Sequence, residues 1–295
     1  TTEIYTLSLH DALPISYGIL MKFQLIGGGY SGTNLVTSVK FCSTTAAFSS
    51  SLQEVMPLLS AVLITRNEEH NIKCCVDHLI EWVDEIIVFD SFSTDRTVDL
   101  LKEYRSEKIK VTQLEWQGFA RTKNLAVEAA SGDWILSVDA DEIITPALRD
   151  EIQQLVGHAE LDGYLVPRLL FFCNRPVRYG GAYPDLQLRL FRKSAGRFEE
   201  TPVHEFVKLS SRPGRLKNHM LHYSYRTMFD YWSRLNRYTE LDAEKKFQQG
   251  KRFRFYRVFV LQLEIVKRLF LRLGVLDGFP GIFYHIFSAV SSLVK

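Results

Sequence analysis

The chain has 295 residues, 46% of them hydrophobic, and a formal net charge of +2. That is enough apolar material for one large domain, or for one domain plus an extension. Its cysteines (Cys42, Cys74, Cys75 and Cys173) show no C-x-x-C spacing, which excludes a disulfide scaffold and a zinc ribbon, and no uninterrupted run of about 18 apolar residues is present to span a bilayer.

Charge is unevenly spread. Residues 206–295 carry 17 Lys/Arg against 6 Asp/Glu, so the 205 residues before them carry a net −9. An acidic front and a basic, aromatic-rich back point to contact between the back and something anionic, either lipid headgroups or nucleic acid.

Residues 1–55 are rich in Ser, Thr and Gly and show no helical or strand period. Thr1–Ser16 resembles the conceptual translation of sequencing-adapter DNA, and the stretch lacks the order of a signal peptide. The expectation is a non-native or disordered leader over residues 1–55, with Met56 as the native start. Within it, Gly27-Gly28-Gly29-Tyr30-Ser31-Gly32-Thr33 lacks the G-K-[ST] ending and the strand–helix context of a phosphate loop.

From Leu59 the pattern alternates. Leu59–Thr65 is an apolar, β-branched run that predicts a buried strand, and a helical pattern follows through Trp82. Ile86–Phe89 predicts a second strand ending at Asp90. Ser91–Asp95 then supplies turn residues, with Thr94 or Asp95 as the N-cap of a helix to Tyr104. Ile109–Thr112 reads as a strand, Phe119–Ala130 as a helix and Trp134–Val138 as a fourth strand. Such alternation implies an α/β fold with parallel crossovers and a sheet covered on both faces.

The fourth strand runs into Asp139-Ala140-Asp141. Two carboxylates one residue apart at the end of a buried strand can hold Mg²⁺ or Mn²⁺, hard ions that share their coordination shell with substrate phosphates. Thr65, Asp90, Asp139 and Asp141 all fall at carboxyl ends of predicted strands, where ligands bind in such sheets.

Four segments, Ile64-Thr65-Arg66-Asn67-Glu68, Asp90-Ser91-Phe92-Ser93-Thr94-Asp95, Arg121-Thr122-Lys123-Asn124 and Asp139-Ala140-Asp141-Glu142, resemble in order and spacing the nucleotide-sugar half of family 2 glycosyltransferases. Met56–Lys295 as a whole is similar to the subgroup that adds glucose to the lipopolysaccharide inner core of Gram-negative bacteria. The resemblance implies a GT-A fold, Rossmann-like with a mostly parallel sheet, and an inverting transfer from a nucleotide sugar, UDP-linked by expectation. Thr65 and Asp90 would contact the nucleoside, Asp90 accepting from a uracil-type N–H. Lys123, with Arg121, would sit near the diphosphate or on a solvated helix face, and Asn124 shares that donor-side motif. Asn67 and Glu68 would line the site or begin a helix. Asp141 would be the principal ligand of a divalent metal, with Asp139 as its companion nearer the sugar.

An inverting reaction needs a carboxylate base on the acceptor side. The Glu-Asp pair usual in the family after the metal motif is missing here, which leaves Asp185, before Gln187-Leu188-Arg189, and Glu205, after His204. Asp185 could instead be a turn carboxylate paired with Arg189. His204-Glu205 is not a metalloprotease motif, since Lys208 stands where a second His is required. His219 and His222, spaced as on a helix face, lack a third ligand and are not expected to bind metal.

Lys251–Leu273 sets Arg254, Arg257, Glu264, Arg268 and Arg272 at helical spacing among Phe255, Phe259, Val266, Phe270 and Leu273. This composition fits an interfacial helix that meets anionic lipid, or an amphipathic helix packed on the catalytic domain; no nucleic-acid module is visible. The expected organisation is a catalytic domain over 56–217 and a basic helical extension over 218–295, cytoplasmic and peripheral on the inner membrane. The expected partners are a nucleotide-sugar donor, a lipid-linked saccharide acceptor and the membrane surface, without nucleic acid. Transfer to a polyprenyl phosphate or another surface glycan, and a non-catalytic sugar-nucleotide or lipid-binding module, are the rival readings. A nucleotidyltransferase is disfavoured, because Thr65-Arg66-Asn67-Glu68 stands where its Gly-rich loop would be.

Overall fold

The computed structural model describes residues 58–200, 205–250 and 256–294. The expected leader over 1–55, the Gly27–Thr33 segment, His204, Arg254 and Phe255 lie outside the described residues.

The first half folds as the alternation demands. Strands β1 (Leu59–Thr65), β2 (Glu85–Asp90), β3 (Ile109–Gln113) and β4 (Trp134–Ser137) pair in parallel in the order β3-β2-β1-β4. Helices α1 (Ile72–Asp77), α2 (Thr97–Glu103) and α3 (Phe119–Ala129) connect them. β1, β2 and β4 read as continuous apolar runs because both faces of the sheet are covered. On one face Ala61, Leu63, Val88 and Leu136 pack against Ile72, Val76 and Leu79. On the other, Val62, Ile87 and Ile135 pack against Ala126 and Val127 of α3.

The strand order turns back on itself at β1, which lies between β2 and β4. The crevice at the carboxyl ends of β1 and β4 is therefore where a ligand is expected.

The second half is mixed. It contains β5 (Glu142–Ile144), α4 (Pro146–Val156), β6 (Gly163–Phe172), the short β7 (Arg175–Pro176) and β8 (Asp185–Arg192). A separate antiparallel pair follows, β9 (Arg197–Glu200) and β10 (Glu205–Lys208), then β11 (Gly214–Arg215) and β12 (Met220–Tyr225). β8 pairs antiparallel to β4 and β6, and β12 joins β6 in parallel and β5 antiparallel. The sheet thus runs on to Tyr225, past the boundary expected at Lys217, because β12 is too short and too mixed in composition to stand out from the basic segment around it.

Two expected elements differ in detail. α1 stops at Asp77 rather than Trp82, because side chains capture the carbonyls that would continue it: the Trp82 indole donates to His78 O at 2.6 Å, and Lys108 Nζ donates to Ile80 O and Val83 O at 3.1 and 3.0 Å. α2 begins after Arg96, one residue beyond Asp95. Asp95 Oδ1 still accepts from Thr97 N and Oγ1, at 3.0 and 2.6 Å.

The last segment is helical: α5 (Met228–Gln248), α6 (Tyr256–Val266), a π-turn over Lys267–Leu271, a 3₁₀ turn over Gly274–Asp277 and α7 (Gly278–Val294). No helix among the described residues is long and apolar enough to cross a membrane. α6 has no buried residue, and Phe259, Leu263, Phe270, Leu271, Leu276 and Phe279 are all at least 60% exposed. Of the apolar stripe expected here, the described members Phe259, Val266, Phe270 and Leu273 are all exposed.

Candidate active site

Two loops at the carboxyl ends of β1 and β2 are stitched together by side chains. Asn67, in the left-handed region at φ 57°, donates its N–H to Ser93 Oγ at 2.8 Å and accepts from Thr94 N at 2.8 Å. Glu68 N donates to Thr97 Oγ1 at 2.8 Å, and Glu69 N to Asp95 Oδ2 at 3.0 Å. Asn67 takes the left-handed turn that asparagine tolerates, and its bonds to Ser93 and Thr94 tie the two loops together.

Thr65 and Asp90 lie beneath this stitching. Asp90 is fully buried; it accepts from Thr65 Oγ1 at 3.1 Å, Ser93 Oγ at 2.5 Å, Ser93 N at 2.9 Å and Gln113 Nε2 at 3.2 Å. Four donors fill a carboxylate's acceptor sites. A nucleobase N–H would have to displace one of them, so Asp90 as it stands supports the floor of the crevice rather than presenting a free acceptor to it.

The basic motif on α3 also turns inward. Lys123 is 3% exposed and not on a solvated face; its Nζ donates to Asp139 Oδ1 at 3.0 Å, and with Asp139, Arg168 and Arg189 it lines a cavity of about 650 Å³. Arg121 is exposed. Asn124 spends both ends of its amide on the β9 backbone, Nδ2 donating to Phe198 O and Oδ1 accepting from Phe198 N, each at 2.9 Å. Asn124 thus clamps α3 to β9.

Asp139 and Asp141 part company. Asp139 Oδ2 accepts from Arg189 Nη2 at 2.5 Å, opposite Lys123 on Oδ1. Burial alone would raise its pKa, but these two cations hold it well below the usual carboxylate range. Each oxygen carries one protein cation, and the side chain, about 30% exposed, still lines the cavity with Lys123, Arg168 and Arg189. Glu142, fully buried, ties the cluster: its Oε2 accepts from Asp139 N at 2.9 Å, and its Oε1 from Arg168 Nη1 and Arg189 Nη2 at 3.0 and 2.5 Å.

Asp141 faces a residue that the sequence pattern had set aside. Its Oδ2 lies 3.3 Å from His222 Nε2, on β12, whose register pairs His222 with Glu142 of β5. His222 is not on a helix; the signal that would have found it is the period-2 alternation Met220, His222, Ser224. Burial raises the Asp141 pKa, and the hydrogen bond and charge of His222 outweigh it and lower it. Nearby Glu68 is shifted upward, by burial first and also by the Asp141 charge, against the lowering effect of Asn71.

Asp185 opens β8 on the other side of His222. Its Oδ2 accepts from Arg168 Nε and Nη2 at 2.9 and 2.6 Å, and its Oδ1 from Gln187 Nε2 at 2.7 Å. The expected turn partner Arg189 is replaced by Arg168. Asp185 and His222 line one cavity of about 390 Å³, together with Ser224, Pro184, Arg268 and Tyr284. Glu205 begins β10, opposite Glu200 in the separate two-stranded sheet.

A further missed residue comes from α5. Arg234 is exposed, lies 5.6 Å over the Tyr225 ring, and is close enough for its charge to lower the pKa of both Glu68 and Asp141.

The acidic crevice at a parallel-sheet switch point is matched by kinship. The family model for Glycosyl transferase family 2 matches residues 60–214. A lipopolysaccharide core biosynthesis glycosyltransferase, LpsC, of Rhizobium meliloti is 32% identical over 236 residues, covering 75% of this chain and 85% of its own. The chain belongs to glycosyl transferase family 2. An uncharacterised glycosyltransferase of Rickettsia typhi is 28% identical over 253 residues, covering 81% of this chain and 86% of its own. Among solved structures, residues 1–349 of S. aureus TarS in complex with UDP align with a TM-score of 0.45 and 15% identity, covering 80% of this chain and 90% of that one.

The protein is therefore a glycosyltransferase with the α/β, GT-A-type architecture of its family and a helical C-terminal region. In this family 2 enzyme Asp141 would supply the hard oxygen ligand that Mg²⁺ or Mn²⁺ takes, with the His222 imidazole 3.3 Å away and a desolvated Glu68 nearby that a cation would favour. Among the described residues no group of three or more metal-ligating side chains gathers, so the remaining positions would fall to substrate oxygens and water, as Mg²⁺ sites commonly arrange.

Proposed function

We propose that the enzyme transfers a sugar, glucose by resemblance, from a UDP-linked donor to a lipopolysaccharide core acceptor with inversion of configuration. The observation that carries this reading is the Asp141–His222 pair, at the carboxyl edge of the sheet and bordering the cavity that contains Asp185. The 32% identity to a lipopolysaccharide core enzyme supports the acceptor class.

Asp141 and His222 would hold Mg²⁺ or Mn²⁺, which supplies Lewis-acid neutralisation of the leaving nucleoside diphosphate. Arg234 adds a fixed positive charge on the same side, from a helix outside the sheet. Asp185, oriented by Arg168, receives the proton of the acceptor hydroxyl as that oxygen bonds to the anomeric carbon. The bond from that carbon to the diphosphate oxygen breaks on the opposite face, and its electrons leave with the nucleoside diphosphate. Lys123 and Arg189 keep Asp139 fixed, and Glu142 joins it to Arg168, so both sides of the reaction share one buried charge network.

The test is calorimetric titration of the chain with UDP-glucose, with and without Mn²⁺. Binding that requires Mn²⁺ is the expected result. No binding of any nucleotide sugar by folded protein would overturn the reading.

The same reading places the enzyme at the cytoplasmic face of the inner membrane. The exposed apolar side chains of α6 and the turns after it, with Arg257, Lys267 and Arg272 beside them, suit a headgroup boundary. Burying one such side chain is worth about 1.5–3 kcal/mol, or roughly tenfold or more in affinity. Phe259→Asp combined with Leu271→Asp should therefore weaken flotation with phosphatidylglycerol vesicles by at least about a hundredfold. Unchanged flotation would remove the membrane from the proposal.

A further inference from the structure

The helical extension packs on the sheet through Tyr231, Phe283 and Tyr284 around Phe172, and a second buried contact, at Asp277, adjoins the segment leading into Asp185. Asp277, in the 3₁₀ turn, has a side chain 2% exposed. Its Oδ1 accepts from Arg178 N at 2.9 Å and Tyr179 N at 3.3 Å, and its Oδ2 accepts from Tyr179 N at 3.0 Å. The fully buried His285 of α7 donates from Nε2 to Asp277 Oδ2 at 2.9 Å, fixing the carboxylate from behind.

The segment it grips has no side-chain bulk where it meets Arg272 and His285. Gly180 N donates to Arg272 O at 2.8 Å, and Gly180 and Gly181 sit at φ 63° and 82°. A Cβ on Gly180 would overlap the His285 ring, and one on Gly181 would overlap the Arg272 guanidinium. Gly181, Pro184 and Asp185 then line the same cavity as Arg268 and Tyr284 of the extension. The extension therefore forms one wall of the pocket and fixes the approach to the other.

We propose that Asp277 is a positioning residue for glycosyl transfer: by holding the N–H groups of Arg178 and Tyr179 it lets the C-terminal extension set where Asp185 stands. This rests on the reading of Asp185 as the base. It predicts an effect on the transfer step without an effect on the donor site, since Thr65, Glu68, Asp141 and His222 take no hydrogen bond from the gripped segment.

The experiment is steady-state kinetics of the full chain, with UDP-glucose, Mn²⁺ and a truncated lipopolysaccharide acceptor, alongside donor calorimetry. Asp277→Ala should leave donor affinity within about twofold and lower kcat by about a hundredfold, the cost of a small misplacement of a reacting group. Asp277→Asn keeps Oδ1, which accepts from both N–H groups, and its Nδ2 can donate to His285 Nε2 once the imidazole carries its proton on Nδ1, so kcat should recover to within about tenfold of the unaltered enzyme. Gly181→Ala, which strains the segment from its own side, should repeat the Asp277→Ala pattern even if that variant does not fold. Unchanged kcat in Asp277→Ala or Gly181→Ala overturns the proposal, as does equal loss of donor binding and turnover in all three. Failure of the unaltered enzyme to bind donor would instead overturn the functional reading beneath it.

Discussion

Asp141→Ala is expected to abolish Mn²⁺-dependent donor binding and to lower turnover at least as much as losing one transition-state charge stabiliser, on the order of 10²–10³. The side chain is the oxygen half of the pair with His222, whereas Asp139 is already held by Lys123 and Arg189. The fold should survive. The Asp141 backbone carbonyl accepts from Tyr223 N at 2.8 Å, and that bond to β12 is untouched by removing the side chain. His222→Ala should act in the same direction, and the double variant should be little worse than either alone if both side chains serve one ion. Chelation of the unaltered enzyme should reproduce the Asp141→Ala level. Normal turnover in Asp141→Ala would sink the metal assignment and leave Arg234 as the main charge facing the diphosphate.

The donor half was legible because its physics is local. Parallel strands buried on both faces read as unbroken apolar runs, and β1, β2 and β4 were visible for that reason. Thr65, Asp90, Asp139 and Asp141 follow from them, since a strand's end is also its carboxyl edge. The mixed half was not legible in the same way. β12 is a short strand whose residues after Met220 are only partly buried, so its strand period is faint and His222 shows the spacing of a helix face with His219 more plainly than its alternation with Ser224.

What no periodicity carries is the pairing of charges over long sequence distances. Lys123 and Asp139 are 16 positions apart, and Arg189 and Asp139 are 50 apart. A lysine on an amphipathic helix has the same sequence signature whether its face meets water or a buried carboxylate. Asn124 shows the companion difficulty: a motif residue can be kept for a backbone clamp and still sit among donor-binding neighbours. The network also changes the meaning of the acidic motif. Buried cations neutralise its first carboxylate, and its second is left beside an imidazole.

Asp185→Asn should remove transfer while leaving donor binding intact. The substitution keeps shape and an acceptor oxygen for Arg168 but takes away the site that receives the acceptor's proton. General base catalysis is worth about 10²–10⁴ in rate, so kcat should fall within that range while the donor dissociation constant stays within about twofold. Arg168 would not be stranded, because its Nη1 still donates to Glu142 at 3.0 Å. The comparison with Asp277→Ala is informative: one variant removes the base and the other displaces it, so combining them should add little to the loss from Asp185→Asn alone. An additive loss would mean that Asp277 acts on something other than Asp185. Unchanged transfer in Asp185→Asn would move the base to Glu205, on β10, and the acceptor would then have to approach from the two-stranded sheet rather than from the cavity walled by the C-terminal helices.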